Sequence, residues 1–219
     1  MITFEFYGKS HGEGYGGVIK GLPRGAVFSV GYINDELKKR KSGLGRSARQ
    51  NFEDKVIFKG FDDLVTVSGD VEFFVPNASV ESRGEITAFR SGHVDLVGQA
   101  RYKGFGAREL NEIASARNSV CYVVLGAICK QLLERSNIYT YHYVEKIGGI
   151  SSRNRYRFGI SEKEEHFAVL HCPCRYATKL MAEKIDRARL SGDSLGGIVA
   201  VGATGVPMGV GKISPTPIG

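Results

Sequence analysis

The feature that most constrains how this sequence can fold is one predicted amphipathic helix. Within residues 89–133, a polar, Gly-rich basic segment is followed by apolar residues at three- and four-residue intervals, the spacing of one helix face. That face consists of Ala116, Val120, Val123, Val124, Ala127, Ile128 and Leu132. We therefore expect a loop that enters a long helix packed against a core.

The residues that lead into this helix have the chemistry of an anion site. Arg90, Gly92 and His93 place a cation, a flexible glycine and an imidazole together, and residues 112–117 place a Ser/Ala/Arg run at the helix start. N–H groups at a helix N-terminus and guanidinium groups both favour phosphate. Spacing alone favours the simpler interpretation of a core helix behind a polar loop, because core helices far outnumber ligand-binding helices.

Length and composition indicate an ordinary globular protein. The 219 residues are 42% apolar and 24% charged, which is enough for one large domain or two small ones. No apolar run is long enough to span a bilayer, and the N-terminus lacks the basic region and apolar core of an export signal. Cytoplasmic residence is the default expectation.

Neither the charge nor the cysteines point to a specific partner. The net charge is +7, but the basic residues are spread out except at residues 38–41, and small anionic substrates explain scattered arginines as well as nucleic acid does. Cys121 and Cys129 are expected to pack within the helix. Cys172 and Cys174 form a Cys-x-Cys with no second pair, so we interpret them as strand cysteines and predict no metal site.

Further elements follow from periodicity. Strands are predicted at residues 2–7, 52–61, 64–75, 139–147, 167–172 and 198–203, and helices at 29–41 and 177–190. Asn34 or Asp35 is expected near the cap of the first of these helices. Residues 38–46 combine several cations with two glycines. A phosphate-binding loop and a solvated run of charges are equally good interpretations.

A second imidazole lies in a Gly-rich segment near the N-terminus. His11 is flanked by Gly8 and Gly12, and Gly14, Gly16 and Gly17 follow, so the predicted strand over residues 2–7 ends at an exposed His in a tight turn. Taken alone, the simpler interpretation is a flexible loop whose His is solvated.

Taken in order, these segments resemble the chorismate synthase family. The family's Gly-Glu-Ser-His-Gly is similar to residues 8–12, with Lys9 in place of Glu, and its Gly-Leu-Pro-x-Gly is intact at residues 21–25. Its Arg-Arg-x-Pro-Gly is similar to residues 39–43, with Ser42 in place of Pro. Its Arg-Pro-Gly-His-Ala-Asp is similar to residues 90–95, with Ser91 and Val94 substituted.

The resemblance continues to the end of the chain. The family's Glu-Arg-Ala-Ser-Ala-Arg-Glu-Thr is similar to residues 112–119, with Ile113, Asn118 and Ser119 substituted. Its Ile-Gly-Gly-Ile, Gly-Asp-Ser-x-Gly-Gly and Val-Pro-x-Gly-x-Gly segments start at Ile147, Gly192 and Val206. This many motifs in one order are highly specific.

The resemblance implies an α+β fold with helices packed between antiparallel sheets. Residues 1–219 would form a single domain that corresponds to the N-terminal and central part of the family and lacks part of its C-terminal half. The implied activity is a phosphate lyase that converts 5-enolpyruvylshikimate 3-phosphate to chorismate in aromatic amino acid biosynthesis. It would need reduced flavin mononucleotide (FMN) with no net redox change, and NADPH only where a flavin reductase activity is present.

The resemblance also implies site residues. His11 matches the histidine that protonates the departing phosphate, and His93 matches the histidine that protonates the reduced flavin. The substrate-anion cluster would comprise Arg40, Arg46, Arg90 and Arg117, and the flavin contacts would include Ala114 and Ser115. The chemistry suits these residue types, because a leaving phosphate needs a proton donor that titrates near neutrality and a buried polyanion needs several guanidinium groups.

Two departures leave a second function open. Ile113 stands where the family has a flavin-contacting Arg, and family members continue beyond the Val-Pro-x-Gly-x-Gly segment. These features favour a catalytically incompetent relative, with flavin lost, that binds an anionic ligand or acts as a subunit, whereas the two histidines favour the enzyme. A nucleic-acid binder has only net charge behind it. A shortened sandwich would leave sheet faces uncovered, so we expect a homo-oligomer, a dimer or tetramer.

Overall fold

The computed structural model describes residues 1–41, 44, 53–61, 63–77, 89, 92–152 and 169–210. The chain divides into two units, Met1–Lys41 with Arg49–Cys129 and Ser42–Ala48 with Lys130–Gly219. Each unit contains antiparallel strands and helices, which confirms the predicted α+β class. Among the described residues, none of the helices combines the length and the apolar character that a membrane crossing requires.

A four-stranded antiparallel sheet organises the first unit. Its strands are β1 (Thr3–Gly8), β2 (Gly14–Lys20), β4 (Ile57–Phe58) and β6 (Val71–Pro76), in the order β1-β2-β6-β4. A separate pair joins β3 (Val27–Ser29) to β5 (Leu64–Thr66). The predicted pairing of residues 52–61 with residues 64–75 is confirmed where β4 pairs with β6. It is wrong for β5, which belongs to a different sheet and is separated from β6 by a bend at Ser68 and Gly69.

The first helix, α1 (Val30–Lys41), is capped by a residue that precedes it. The Ser29 hydroxyl accepts a hydrogen bond from the Tyr32 backbone N–H at 3.3 Å. The expected cap at Asn34 or Asp35 is wrong, since the Asn34 side chain instead accepts from the Val56 N–H at 3.0 Å. Basic residues fill the last turn, where the helix dipole favours them.

The segment before the long helix is more ordered than its glycines suggest. It contains α2 (Asp95–Arg101) and α3 (Ala107–Ile113), followed by a 3-10 turn at Ala116–Asn118. The long helix, α4 (Ser119–Glu134), begins directly after that turn. Val120, Val124, Ala127 and Ile128 are buried, which confirms that part of the predicted apolar face. The prediction is wrong at Ala116, which lies in the 3-10 turn and is exposed.

Aromatic rings hold α4 against β1. The Tyr122 ring meets the Phe6 ring edge-on at a centroid distance of 5.0 Å and the Phe4 ring at 6.3 Å. Cys121 is fully buried beside them, and its Sγ donates to the Gly16 carbonyl at 3.6 Å. Burial raises the pKa of the Cys121 thiol to about 11, as expected of a packing cysteine.

The glycines of β2 serve close packing. Gly17 pairs with Phe6 on one side and Phe73 on the other, and these two rings lie 6.2 Å apart across it. A Cβ on Gly17 would come within 2.7 Å of the Phe6 ring and 3.0 Å of the Phe73 ring. The Gly-rich segment is thus an inner strand from Gly14 onward, and the flexible-loop interpretation holds for none of that strand.

The second unit packs one helix on a three-stranded sheet. The strands β7 (Tyr139–Ile147), β8 (Ile150–Ser151) and β9 (Gly197–Thr204) lie in the order β8-β7-β9, and β7 has the predicted bounds. The helix, α5 (Arg175–Leu190), contributes Ala177 and Met181 to the core. Partly buried residues of the sheet and the helix pack against that core: Val144, Ile147, Ile150 and Ile185.

The strand predicted over residues 167–172 is wrong where the structure describes it. Val169 and Leu170 are helical, and His171 has a left-handed φ of 53°. The His171 carbonyl accepts a single hydrogen bond from the Val144 N–H at 2.8 Å in place of a strand ladder. Cys172 is buried in the core of this unit, and residues 167 and 168 lie outside the described part.

We predict that Gly17→Ala destabilises the first unit by about 1–3 kcal/mol, because the added methyl group would overlap two packed rings. The free energy of unfolding would be measured by urea denaturation followed by circular dichroism. Gly126→Ala is the matched control, since a Cβ at that position in α4 meets no atom within 4 Å and Ala favours a helix. Equal stability of the two variants would contradict this account of β2.

Candidate active site

His11 lies in the tight loop that joins β1 to β2. Its Nδ1 is 2.7 Å from Oε1 of Glu112, the last but one residue of α3. The other carboxylate oxygen, Oε2, accepts from the His11 backbone N–H at 3.0 Å and from the Ser10 hydroxyl. Three donors of one loop thus converge on a single carboxylate, so both the loop and the imidazole plane are fixed.

The Glu112 carboxylate is nearly inaccessible, with 8% of the residue exposed. Burial alone would raise its pKa, but the hydrogen bonds from Ser10 and His11 outweigh burial and lower the pKa from its ordinary value of 4.5. The backbone carbonyl of Glu112 also accepts from the Tyr15 hydroxyl at 3.2 Å. Glu112 is therefore an anion at neutral pH, and it holds the Nδ1 side of His11.

His93 has the same arrangement. It precedes α2, and its Nδ1 is 2.6 Å from Oδ1 of Asp95, the first residue of that helix. Asp95 is completely buried, whereas the His93 side chain is 34% exposed. A carboxylate that holds Nδ1 directs Nε2 away from it, which is how proteins orient a functional imidazole.

Three cations gather around Asp54, which is 4% exposed. Arg117 approaches its Oδ1 at 2.6 Å, Lys41 at 3.5 Å, and Arg40 approaches Oδ2 at 3.4 Å. Burial lowers the pKa of the Lys41 ammonium, and Asp54 partly opposes that shift. Among the described residues, three cations face one carboxylate here, so this cluster suits a further anion.

The arginines are also fixed by neutral groups. The Arg40 guanidinium donates to the Ser119 hydroxyl at 2.9 and 3.0 Å. The Arg117 Nε donates to the Asn77 side-chain oxygen at 3.1 Å. The Asn77 side-chain nitrogen in turn lies near the carbonyls of Lys9, Ser10 and Gly12, at 3.1, 3.1 and 2.7 Å. Asn77 thereby connects Arg117 to the loop that carries His11.

Ala114 and Ser115 lie at the junction between α3 and the following 3-10 turn. Ala114 is exposed and closes α3, with its N–H on the Leu110 carbonyl at 2.9 Å. Ser115 is half-buried, and its hydroxyl accepts from the Arg117 N–H at 3.3 Å. Two small side chains at an accessible bend let a flat ligand approach the backbone.

The structure brings several predicted site residues together. One hydrogen-bond network joins His11, Arg117 and Arg40, through Asn77 and Asp54. Arg46 and Arg90 lie outside the described residues.

Sequence reasoning missed the groups that support these residues. Glu112, Asp95, Asp54 and Asn77 received no role, although Asp95 follows His93 by two residues. Sequence position does not reveal most of these contacts. Glu112 lies 101 residues from His11, and Asn77 lies 65 residues from Gly12.

Comparison with known proteins identifies the family. The family model described as chorismate synthase matches residues 2–216. The chain belongs to the chorismate synthase family. It is similar to the chorismate synthases of an Exiguobacterium species, at 34% identity over 227 residues, and of Listeria welshimeri, at 37% over 225 residues. Each of these alignments covers 94% of this chain and 58% of the relative.

A solved structure agrees with the family assignment. A chorismate synthase crystal structure superimposes with a TM-score of 0.71 and 25% sequence identity, over 92% of this chain and 57% of the other. The chain therefore spans less than three fifths of the length of the chorismate synthases that it matches.

We predict that Glu112 makes the fold acid-sensitive. A carboxyl whose pKa is lower in the folded chain than in the unfolded chain stabilises the fold above the unfolded value, and this contribution is lost as pH falls through the folded value. The free energy of unfolding should therefore decline below about pH 4.5 more steeply in the wild type than in Glu112→Gln. Urea denaturation at a series of pH values would measure both slopes.

Glu109→Gln is the matched control for this experiment. Glu109 is an exposed residue of the same helix that accepts from the Gly106 N–H, and the Gln side chain can keep that bond. Its slope should equal that of the wild type. A wild-type slope in Glu112→Gln as well would mean that the His11 contact contributes nothing to acid stability.

Proposed function

We propose that this chain carries the phosphate-eliminating site of a chorismate synthase, the lyase that converts 5-enolpyruvylshikimate 3-phosphate to chorismate in the shikimate pathway. The observation that carries the proposal is the network described above. It connects His11, whose Nδ1 is fixed by Glu112, to the cation cluster around Asp54. An oriented imidazole beside surplus positive charge is the arrangement that the departure of a phosphate needs.

The reaction breaks one C–O bond and one C–H bond. The C–O bond to the phosphate breaks with its electron pair on the phosphate, and a C=C bond forms as a ring carbon loses a proton. That loss balances the proton that the leaving phosphate gains. No electrons are gained or lost overall. The leaving phosphate is stabilised when a proton or a cation neutralises the charge that develops on its oxygen.

His11 supplies the proton in this proposal. In the neutral ring, Nδ1–H donates to Glu112 and Nε2 is the acceptor, while the protonated ring also has an N–H at Nε2. Nε2 is therefore the atom that gives a proton to the departing phosphate. Glu112 positions the ring and does not transfer that proton itself, as in other carboxylate–imidazole pairs.

Arg40 and Arg117 hold the anionic substrate. Asp54 keeps both guanidinium groups in place before the ligand arrives, so less conformational entropy is lost on binding. The positive charge of the described cluster suits a phosphate dianion. The resemblance extends the anion cluster to Arg46 and Arg90, which we include in the proposal on that basis.

The resemblance implies that Ala114, Ser115 and His93 would hold a flavin, and the chemistry of each suits that role. Ala114 and Ser115 offer an accessible bend with small side chains, and His93 offers an imidazole whose Nδ1 is held by Asp95. When bound there, reduced FMN would supply electron density that the reaction returns, since no net redox change occurs. His93 would hold a proton at Nε2 for the flavin. NADPH enters only with a flavin reductase activity.

Cytoplasmic residence and self-association complete the proposal. Apolar residues of β9 support a homo-oligomer, a dimer or tetramer, because Val199 and Val201 are 61% and 76% exposed. Multi-angle light scattering at micromolar concentration should therefore give at least twice the chain mass of 23.9 kDa. A monomer would contradict self-association and leave the lyase proposal standing.

Anaerobic titration tests the proposal directly. The purified chain would be titrated with reduced FMN, with and without 5-enolpyruvylshikimate 3-phosphate, while flavin absorbance and released phosphate are followed. We expect FMN to bind and phosphate to be released only with substrate present. Absence of flavin binding and of phosphate release would overturn the lyase proposal for this chain alone and favour an anion-binding relative or subunit.

Replacing the imidazole tests the proton donor. His11→Asn keeps an N–H near the Nδ1 position for Glu112 but removes Nε2, so we expect phosphate release to slow by roughly a hundredfold or more, with a smaller effect on substrate affinity. His93→Asn should slow release similarly. His142→Asn in the second unit is the control and should release phosphate at the wild-type rate, and an equal rate in His11→Asn would exclude His11 as the acid.

A further inference from the structure

The Asn77 side chain uses both its nitrogen and its oxygen in polar contacts. It directly follows β6, and its backbone N–H donates to the Glu13 carbonyl at 2.8 Å. Its side-chain nitrogen lies 2.7–3.1 Å from the carbonyls of Lys9, Ser10 and Gly12, and its side-chain oxygen accepts from Arg117 Nε at 3.1 Å. Both ends of one amide are therefore used.

The chemistry of these partners fixes the orientation of the amide. Carbonyl oxygens only accept hydrogen bonds and a guanidinium only donates, so the nitrogen must face the loop and the oxygen must face Arg117. A carboxylate of the same shape lacks the donors, and an apolar side chain lacks both functions. Among residues of this size, asparagine alone can make the full set of contacts.

The three loop carbonyls lie on both sides of His11. Lys9 and Ser10 precede it and Gly12 follows it, so Asn77 holds the backbone that carries the imidazole while Glu112 holds the ring. The same amide holds Arg117, whose other end is fixed by Asp54 at 2.6 Å. One side chain thus sets the spacing between a proton donor and a cation.

We infer that Asn77 is a positioning residue that holds the imidazole of His11 and the guanidinium of Arg117 at the spacing needed to protonate a phosphate bound by the arginine. The inference rests on the proposed function. It gives Asn77 no contact with substrate and no part in proton transfer. Its effect is geometric, and a displacement of about 1 Å at a reacting group can slow a reaction by roughly a hundredfold.

Two substitutions separate the two ends of the amide. Asn77→Asp keeps the oxygen that accepts from Arg117 but removes both N–H donors, and it places a negative charge beside three carbonyls. Asn77→Leu removes both functions at similar volume. We expect both substitutions to lower kcat for phosphate release about tenfold or more. In Asn77→Asp, where the Arg117 contact is kept, KM should change about twofold or less.

Asn34→Asp is the matched control. The Asn34 side chain acts as an acceptor for the Val56 N–H, and a carboxylate keeps that bond. Its kcat and KM should remain at wild-type values. A purely structural role for Asn77 would lower thermal stability while kcat per folded molecule stayed unchanged, and that outcome in both Asn77 variants would overturn the inference.

A second readout does not depend on turnover. The Arg117 Nε–H, assigned by its absence in Arg117→Lys, would be followed by nitrogen-15 NMR for exchange with solvent. Wild type and Asn77→Asp should protect this proton, and Asn77→Leu should expose it at least tenfold more. Equal exchange in all three would overturn the inference. A wild-type chain that protects this proton but releases no phosphate would overturn the proposed function and leave the contact established.

Discussion

A carboxylate that leaves water must find cations or hydrogen-bond donors, and this requirement organises the site. Asp54, Asp95 and Glu112 are the buried carboxylates of the described residues, with 4%, 0% and 8% exposure. Each contacts a residue that the sequence had marked as functional. Glu112 holds His11, Asp95 holds His93, and Asp54 holds two arginines and a lysine. Removal of any one acid would take away one of the contacts that orient its partner.

Parts of the local structure were predictable because they follow from the short-range periodicity of apolar residues. Strand β7 has the bounds that alternation gives, and the apolar face of α4 follows from its three- and four-residue spacing. Predictions failed where long-range packing decided the outcome. The glycines of β2 form an inner strand because aromatic rings from two neighbouring strands need the space that a Cβ would fill. The sequence of residues 14–20 alone does not reveal those rings.

The candidate site divides in the same way. The motifs predicted the imidazoles and guanidinium groups, since the proposed chemistry demands those residue types. They did not locate the groups that hold them, because Asn77 and Glu112 reach His11 and its loop only after the chain has folded. Residue type predicts which groups react, and tertiary structure decides which groups orient them.

Asn77 also makes the site sensitive to the age of the protein. The side-chain amide of asparagine hydrolyses slowly to a carboxylate, and here that change would replace two donors by an anion among three carbonyl oxygens. The sheet and helices need not respond, since the damage lies in a single loop contact. A stored preparation could therefore keep its circular dichroism spectrum while a mass gain of about one dalton at one residue reports a loosened site.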